Sequence, residues 1–489
     1  MRPSSRSRDG AATKVWAVSH PSVDAGLAAV PKGAAAGRGY SATEALRARR
    51  HSPRLGLTLA LTVVLLAVAG GLAPSLVPGT LVGQDAGWVA AAAVFAASYF
   101  ALAVGRVPGL TIDRAGVALV GACLMVACGA LQIEDAYKAV DLDTLTLLLG
   151  MMIVLANLRL SGVFALANVW VIRRAHRPIT LLAAVTGVAG VCSAFLVNDA
   201  ICLVLAPLVL ELTLSLRRNP VPYLLAVAMG SNIGSTATIT GNPQNMMIGS
   251  FSKIPYAQFT ASLAPVALIG LVLTVVLVAL FHRREFTGGS RLAPEIPQTR
   301  VHRALALRAI LATAVLVALF FAGQPPAKAA IVIGGLLLLT RRVKSERVYA
   351  EIDWSLLLMF AGLFIVVAGA EHALLTDDTV AAVGSLGLDS VPVLSAMTAI
   401  LSNFVSNVPA VLVLKPFIEP LSDRHTAWLT VAMASTLAGN FTVLGSIANL
   451  IVIQRAAGSG VEIGYWDYFK VGAPLTLLTI LLGTLWLWL

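Results

Sequence analysis

From Leu55 to the last residue the chain is a succession of apolar runs, the longer ones of about twenty residues, separated by short polar stretches. At ~1.5 Å per residue a helical run of that length crosses the ~30 Å hydrocarbon core of a bilayer. Inside hydrocarbon each backbone N–H and C=O must find its partner within the protein, which a helix provides within each segment. Composition agrees: 58% of the 489 residues are apolar and 12% are charged, whereas a soluble protein carries about 25% charged residues. The mean hydropathy of +0.85 excludes a soluble enzyme. The expected class is an all-α polytopic membrane protein whose solvent is the lipid bilayer.

The formal charge of +11 comes from 35 Lys and Arg against 24 Asp and Glu. These basic residues cluster between apolar runs, so they read as topology signals and not as a nucleic-acid surface. Cys123, Cys128, Cys192 and Cys202 all lie in apolar stretches without a C-x-x-C pair; they are expected to be packing residues, not a disulfide framework or a metal site. No phosphate-binding loop, H-E-x-x-H or G-x-G-x-x-G is present, so neither an enzyme nor a bound cofactor is expected. If the protein moves something, an ion gradient of protons or sodium, or a separate partner, supplies the energy.

Residues 1–54 read as a disordered basic cytoplasmic tail, with Arg47, Arg49, Arg50 and Arg54 ahead of the first span, Leu55 to about Leu76. That run is long enough to span, so it is not read as a cleaved signal peptide. Alternating loop charges then orient the chain, with Arg106 and Arg114 inside, and Glu134, Asp135, Asp141 and Asp143 outside. The fourth span is expected over about Leu145 to Ile172. The stretch 179–214 lies between the basic clusters Arg173, Arg174, Arg177 and Arg217, Arg218. Its 36 residues leave and return on one side, which is marginal for two crossings and fits a re-entrant hairpin. A spanning segment over 223–250 and another to Phe281 complete a first half, 55–281. A basic linker, 282–308, leads to a second half, 309–489, with spans at 309–322, 328–340, 354–372 and 471–488, a hairpin over 391–418 and a segment over 428–453. The expected total is eleven spans and two hairpins, in a cell (inner) membrane with a cytoplasmic N-terminus.

The halves repeat. Asp143-Thr-Leu-Thr-Leu-Leu-Leu matches Asp353-Trp-Ser-Leu-Leu-Leu-Met at an offset of 210, and Ser193-Ala-Phe-Leu-Val-Asn198 matches Ser402-Asn-Phe-Val-Ser-Asn407 at 209. Ala228-Met-Gly-Ser-Asn with Gly241-Asn-Pro-Gln-Asn245 matches Ala432-Met-Ala-Ser-Thr with Gly445-Ser-Ile-Ala-Asn449 at 204. Because the charges put Asp143 outside and Asp353 inside, the repeat is inverted. Inverted repeats with interrupted helices mark secondary transporters whose site lies near the midplane, although channel pores are also built this way.

The candidate site residues follow from these interruptions. Asn198 and Asp199 sit among Phe195, Leu196, Val197 and Ile201, where an ionised carboxylate is costly unless it faces a partner or a watery cavity. Asp199 is therefore the candidate proton-coupling group; the alternative is that it caps a helix starting at Ala200. The second hairpin repeats the asparagine, with Ser402, Asn403, Ser406 and Asn407, but has Val408 in place of the acid. Ser231, Asn232, Thr240, Gly241, Asn242 and Asn245, around Pro243, predict an unwound segment with carbonyls and amides free for a ligand. Asn440, Thr442, Gly445 and Asn449 are its counterpart. A stripe of small residues can also be plain helix packing, which accounts for Gly230 and Gly234 but not for the amides. Lys or Arg is absent from 223–281 apart from Lys253, and from 428–454, which favours a neutral or weakly acidic solute. Lys415 reads as a snorkelling interfacial lysine, and Glu211, Glu371 and His372 as interfacial.

These motifs resemble the ion transporter superfamily of arsenite efflux permeases, sodium/proton antiporters, divalent anion and citrate carriers and plant silicic-acid effluxers. The resemblance covers about residues 90–489. Leu196-Val-Asn-Asp-Ala200 with Leu205-Ala-Pro207 looks like the hairpin of the arsenite permease branch, and Gly241-Asn-Pro-Gln-Asn245 looks like the silicic-acid and arsenite efflux group. The citrate and dicarboxylate branch is expected to carry Ser-Asn-Thr at both hairpin tips and Thr-Pro-Pro-Asn, which this sequence lacks. The resemblance implies two inverted five-helix units with scaffold and transport parts, often dimeric and moving as an elevator. It also implies proton-coupled efflux of an uncharged metalloid acid such as arsenous or silicic acid. Its alternatives are a sodium- or proton-coupled carboxylate or sulfate carrier, a sodium/proton antiporter, and a passive channel or subunit docked to an ATPase through 282–308.

Overall fold

The computed structural model describes residues 81–104, 111–174, 177–287, 302–339, 343–376 and 386–489. The basic tail, the first expected span and residues 288–301 of the linker lie outside the described residues. All regular structure among the described residues is helical. The first half contains α1 (Leu81–Val104), α2 (Arg114–Ala127), α3 (Leu142–Ser161), α4 (Val163–Arg174), α5 (Pro178–Phe195), α6 (Asn198–Ser215), α7 (Pro220–Ser235), α8 (Pro243–Ser252) and α9 (Tyr256–Phe281). The second contains α10 (Arg303–Phe321), α11 (Pro326–Leu338), α12 (Trp354–Leu374), α13 (Val391–Val405), α14 (Asn407–Ile418), α15 (Arg424–Ala438), α16 (Ile447–Gly458) and α17 (Tyr465–Trp488). Short helices at Ile133–Ala139, Arg283–Phe286 and Ser345–Tyr349 join them.

Eight of these are long and apolar enough to cross a membrane: α1, α3, α5, α6, α9, α10, α12 and α17. Six of the eleven expected spans are among these eight, the other two being the arms of the expected hairpin 179–214, and the first expected span lies outside the described residues. The run expected as one span from Leu145 to Ile172 divides at Gly162, whose φ of 82° ends α3 and lets α4 start in a new direction. Helices α2 and α11 have 14 and 13 residues, short for a full crossing. The two interrupted segments each divide into two shorter helices.

Helices α1 and α2 pack against α12, whereas α10 and α11 pack against α3. Helix α3 thus packs with the second half and α12 with the first, and two glycines bring these helices close. A Cβ on Gly150 would lie 2.5 Å from the backbone of Ala330 in α11, and one on Gly362 would lie 2.6 Å from that of Ala118 in α2. These glycines are 212 positions apart, as are the first residues of α3 and α12. The Asp143–Asp353 match at 210 is therefore two residues out of register: Asp353 N-caps α12 through the Leu356 N–H, and the matching cap of α3 is Asp141. Arg159, near the end of α3, pairs with Glu351 just before α12, so the two helices run in opposite directions.

The remaining helices form a second packed group, α5–α9 with α13–α17. In it α5 and α6 make a hairpin with only Leu196 and Val197 between them, each arm 18 residues or ~27 Å long. In the second half α13 and α14 are joined through Ser406 alone. The helices expected to be interrupted stop at Ser235 and Ala438 and resume at Pro243 and Ile447, each with a 3₁₀ turn in the gap.

Candidate functional site

Four helices begin at one cavity. Asn198 and Asp199 of α6, Pro243 and Gln244 of α8, Asn407 of α14 and Ile447 of α16 line it, with Ser406 and Ser446 just ahead of their helices. A helix N-terminus carries about half a positive charge and free N–H groups. At α8 and α16 these groups are partly used: Asn242 accepts from the Asn245 N–H at 2.9 Å, and Ser446 from that of Ala448 at 3.2 Å. The hairpin helices α6 and α14 have no side-chain cap, so their first N–H groups remain as donors at the cavity. Asp199 does not cap a helix starting at Ala200: the helix begins one residue before it, and Val197 is the N-cap. Ser406 has φ 78° and ψ 159°, a conformation that costs a non-glycine residue energy and that clusters at functional sites. Its counterpart Val197 is unstrained, so the two hairpin tips are unlike.

Behind the cavity wall lies a buried amide network centred on Asn232. Asn198 Nδ2 donates to Asn232 Oδ1 at 3.0 Å, and Ser446 Oγ donates to the same oxygen at 3.0 Å. Asn232 Nδ2 donates to Asn440 Oδ1 at 2.9 Å and to Asn449 Oδ1 at 3.0 Å. The chain of donors ends on backbone, Asn440 on the Met229 carbonyl and Asn449 on those of Gly439 and Thr442. This directionality leaves Asn198 Oδ1, on a residue only 4% exposed, without a donor. A buried acceptor left unpaired is costly, and this one lies on a residue of the cavity wall.

Of the residues expected to bind a solute, the structure brings Asn198, Asp199, Ser406 and Asn407 to the cavity. Of the others, all but the exposed Asn403 and the half-buried Thr442 are buried behind it, and several hold the breaks in shape. Asn242 Nδ2 bonds Ser235 Oγ and Thr436 Oγ1, and Asn245 Nδ2 bonds the Ser235 and Thr238 carbonyls. Ser231 pairs with Ser193 at 2.7 Å, Thr240 with the Tyr256 hydroxyl at 2.8 Å, and Ser402 with Asn407 Oδ1 at 2.6 Å. Asn403 bonds the Ala399 carbonyl. Gly241 and Gly445 sit where their turns fold back on Ser235 and Gly439. The free carbonyls expected of an unwound segment are therefore largely taken up by its own asparagines.

Arg114, read from the sequence as an orientation charge, lines the cavity as well. It also lines a wider vestibule of about 590 Å³ with Asp113, Asp353 and Ser355; Leu356, Met359 and Ile447 are common to both spaces. The inner cavity is small: the space open to the centre of a water molecule is about 40 Å³, room for about three waters. Among the described residues no cluster of His, Cys, Asp and Glu suits a metal ion. The arrangement offers positive N-terminal donors and a guanidinium together with two acceptors, Asp199 and Asn198 Oδ1.

Comparison with known proteins gives the wider setting. The chain is 29% identical over 430 residues to the 46 kDa membrane protein of Mycobacterium leprae, covering 82% of this chain and 98% of that protein. It is 28% identical over 450 residues to the silicon efflux transporter LSI3 of Oryza sativa, covering 77% and 93%. Its fold is similar to the crystal structure of the Alcanivorax borkumensis YdaH transporter, with a TM-score of 0.54 at 14% identity over 89% of this chain and 97% of that one. Residues 99–438, more than half of the chain, match the citrate transporter family, and with that match the protein takes its place as a membrane transporter of the citrate transporter family.

Proposed function

We propose that the protein is a secondary active transporter, not an enzyme, that moves a small hydroxylated oxyacid, of the arsenous or silicic acid type, in exchange for protons. The observation that carries this reading is the mixed character of the cavity. N–H donors at the starts of α6 and α14 suit oxyacid oxygens, whereas the unpaired Asn198 Oδ1, with the Asp199 carboxylate on the same cavity wall, suits a solute that also donates hydrogen bonds. Sulfate or a fully ionised carboxylate offers acceptors only. The similarity to a silicon efflux transporter supports the same class. Asp199 is the proton-coupling residue, since among the cavity-lining groups it alone is a carboxylate.

A sodium- or proton-coupled carboxylate carrier is the second reading, favoured by the name of the family. The open space of the inner cavity, room for about three waters, matches a solute of a few heavy atoms, and this supports the smaller solute. With the basic loops inside, the vestibule opens to the cytoplasm of a cell membrane, which suits loading for efflux. A dimer, and an ATPase docked on the linker, are compatible additions.

The test is arsenite flux in proteoliposomes carrying the full chain, under an imposed pH gradient without sodium. Uphill arsenite movement is expected, and Asp199→Asn is expected to leave the protein folded but remove the dependence on the pH gradient. Citrate entry only after sodium is added, with arsenite immobile, would reject the proposal in favour of the second reading.

A further inference from the structure

The guanidinium at the cavity mouth has no role in the reading above. Arg114 is the first residue of α2 and is half-buried. It lines both the cavity and the vestibule, and among the described residues no carboxylate lies within ion-pairing distance of it. An arginine withdrawn from water without a carboxylate partner is unusual, because its desolvation is normally offset by a counter-charge. Asp199 lines the same small cavity, whose open space is that of a few waters.

The other ionisable groups around this space are few. Asp113 precedes Arg114, but its carboxylate accepts the Gly116 N–H at 2.8 Å as the cap of α2. Asp353 faces the vestibule and caps α12 through Leu356 at 3.0 Å. The Cys202 thiol is a turn beyond Asp199 and buried. At this level α5, α7, α8, α14 and α16 contribute only amides, hydroxyls and apolar groups.

We propose that Arg114 is the specificity residue of the site: it takes an ionised oxygen of the solute at the cavity mouth while Asp199 and Asn198 receive the solute's hydroxyl hydrogens. This rests on the oxyacid reading and narrows it to the singly ionised form of a weak polyhydroxy acid. A guanidinium fork matches two oxygens of one oxyanion, which a lysine ammonium does not. Recognition then spans the cavity, with the cation at its mouth and the acceptors at its inner end. A fully protonated solute leaves Arg114 unsatisfied, and a fully ionised one leaves Asn198 Oδ1 unsatisfied.

The experiment has two arms, both on the full chain in liposomes, with wild type, Arg114→Gln and Arg114→Lys checked for equal thermal stability. In the first, arsenite flux is measured against concentration. Arg114→Gln is expected to raise KM about tenfold with a much smaller change in kcat, and Arg114→Lys to recover part of the loss. An unchanged KM in Arg114→Gln overturns the proposal.

In the second arm no transported solute is needed. A hydrophobic carbodiimide, which reacts with protonated carboxyl groups, is applied across pH, and labelling of Asp199 is read by mass spectrometry. Arg114→Gln is expected to move the labelling midpoint up by about one pH unit, with Arg114→Lys at the wild-type midpoint. Dihydrogen phosphate is expected to protect Asp199 in wild type and not in Arg114→Gln. Identical midpoints and identical protection in all three proteins overturn the proposal even where arsenite is not carried. Absence of arsenite flux in wild type, with the midpoint shift present, rejects the arsenite reading and leaves Arg114 as the selector of another oxyanion.

Discussion

Asn232 is a residue on which the two halves are joined. It is 2% exposed, and its side chain takes part in four hydrogen bonds, with Asn198, Ser446, Asn440 and Asn449. Bonds between helices in a membrane contribute on average ~0.6 kcal/mol each, so Asn232→Ala is expected to lower stability by about 2–3 kcal/mol. Thermal denaturation of the detergent-solubilised chain measures this; a loss near zero would mean that the network is dispensable. Asn198, Asp199 and Asn407 were legible in the sequence because a polar group in an apolar run needs a reason. The division between cavity-lining and supporting asparagines was not legible, because it depends on which way each amide points once the helices break. Arg114 was hidden for a different reason. Beside Arg106 in a basic loop it satisfies the orientation rule, and only the packing of α2 on α12 carries it to Asp199's cavity.

At the scale of elements, glycines set how close α3 and α12 come to the helices of the other half. Gly150 and Gly362 occupy equivalent positions against backbone atoms of α11 and α2, which cannot rotate away as a side chain would. Gly150→Ala and Gly362→Ala are each expected to cost about 1–3 kcal/mol through forced separation of the pair. Denaturation midpoints of the two variants should fall together, and a fall in only one would break the equivalence of the halves. The repeat itself was readable from strings of residues; its register at α3 was not, because Asp141 and Asp143 are both plausible caps and only the structure gives the cap to Asp141. The division at Gly162 was missed since apolar composition continues through it. Caps also carry a pH signature. Asp423 precedes α15, and the Thr426 N–H, then the Thr426 hydroxyl, hold its carboxyl below the usual carboxylate range. A carboxyl depressed in the folded state stabilises above its ordinary pKa, and the contribution is lost as pH falls through that range. Asp423→Ala is therefore expected to cost about 1 kcal/mol at neutral pH, with the difference from wild type shrinking as pH falls below about 4. A difference that stays constant with pH would assign the loss to packing.

For the whole molecule, the ion pairs between the two packed groups bias which way the site faces. Lys253, just after α8, pairs with Asp143 of α3 at 3.3 Å, and Lys415 of α14 approaches Glu371 of α12 at 3.9 Å. Asp143 begins α3 and Glu371 ends α12, whereas the vestibule opens where α2 and α12 begin. Since α3 and α12 run in opposite directions, both pairs lie on the side away from the vestibule. Lys415 also stands 5.5 Å from the ring of Phe251 in α8. Exposed pairs contribute little, and the half-buried Lys415–Glu371 pair somewhat more. Together about 1 kcal/mol favours the arrangement that is open at the vestibule, equivalent to about fivefold in population. If transport requires the group of α5–α9 and α13–α17 to move against the other helices, both pairs must open in the alternative state. Lys253→Gln combined with Lys415→Gln is then expected to raise labelling of a cysteine placed at Ser406, in a chain without the native cysteines. The reagent is a membrane-impermeant maleimide applied from the side away from the vestibule, and the expected rise is about fivefold. Because the pairs hold the packed groups together only on that side, labelling from the vestibule side should fall in the same variant; a rise on both sides would mean a loosened protein, and no change on either would mean that the pairs do not bias the equilibrium.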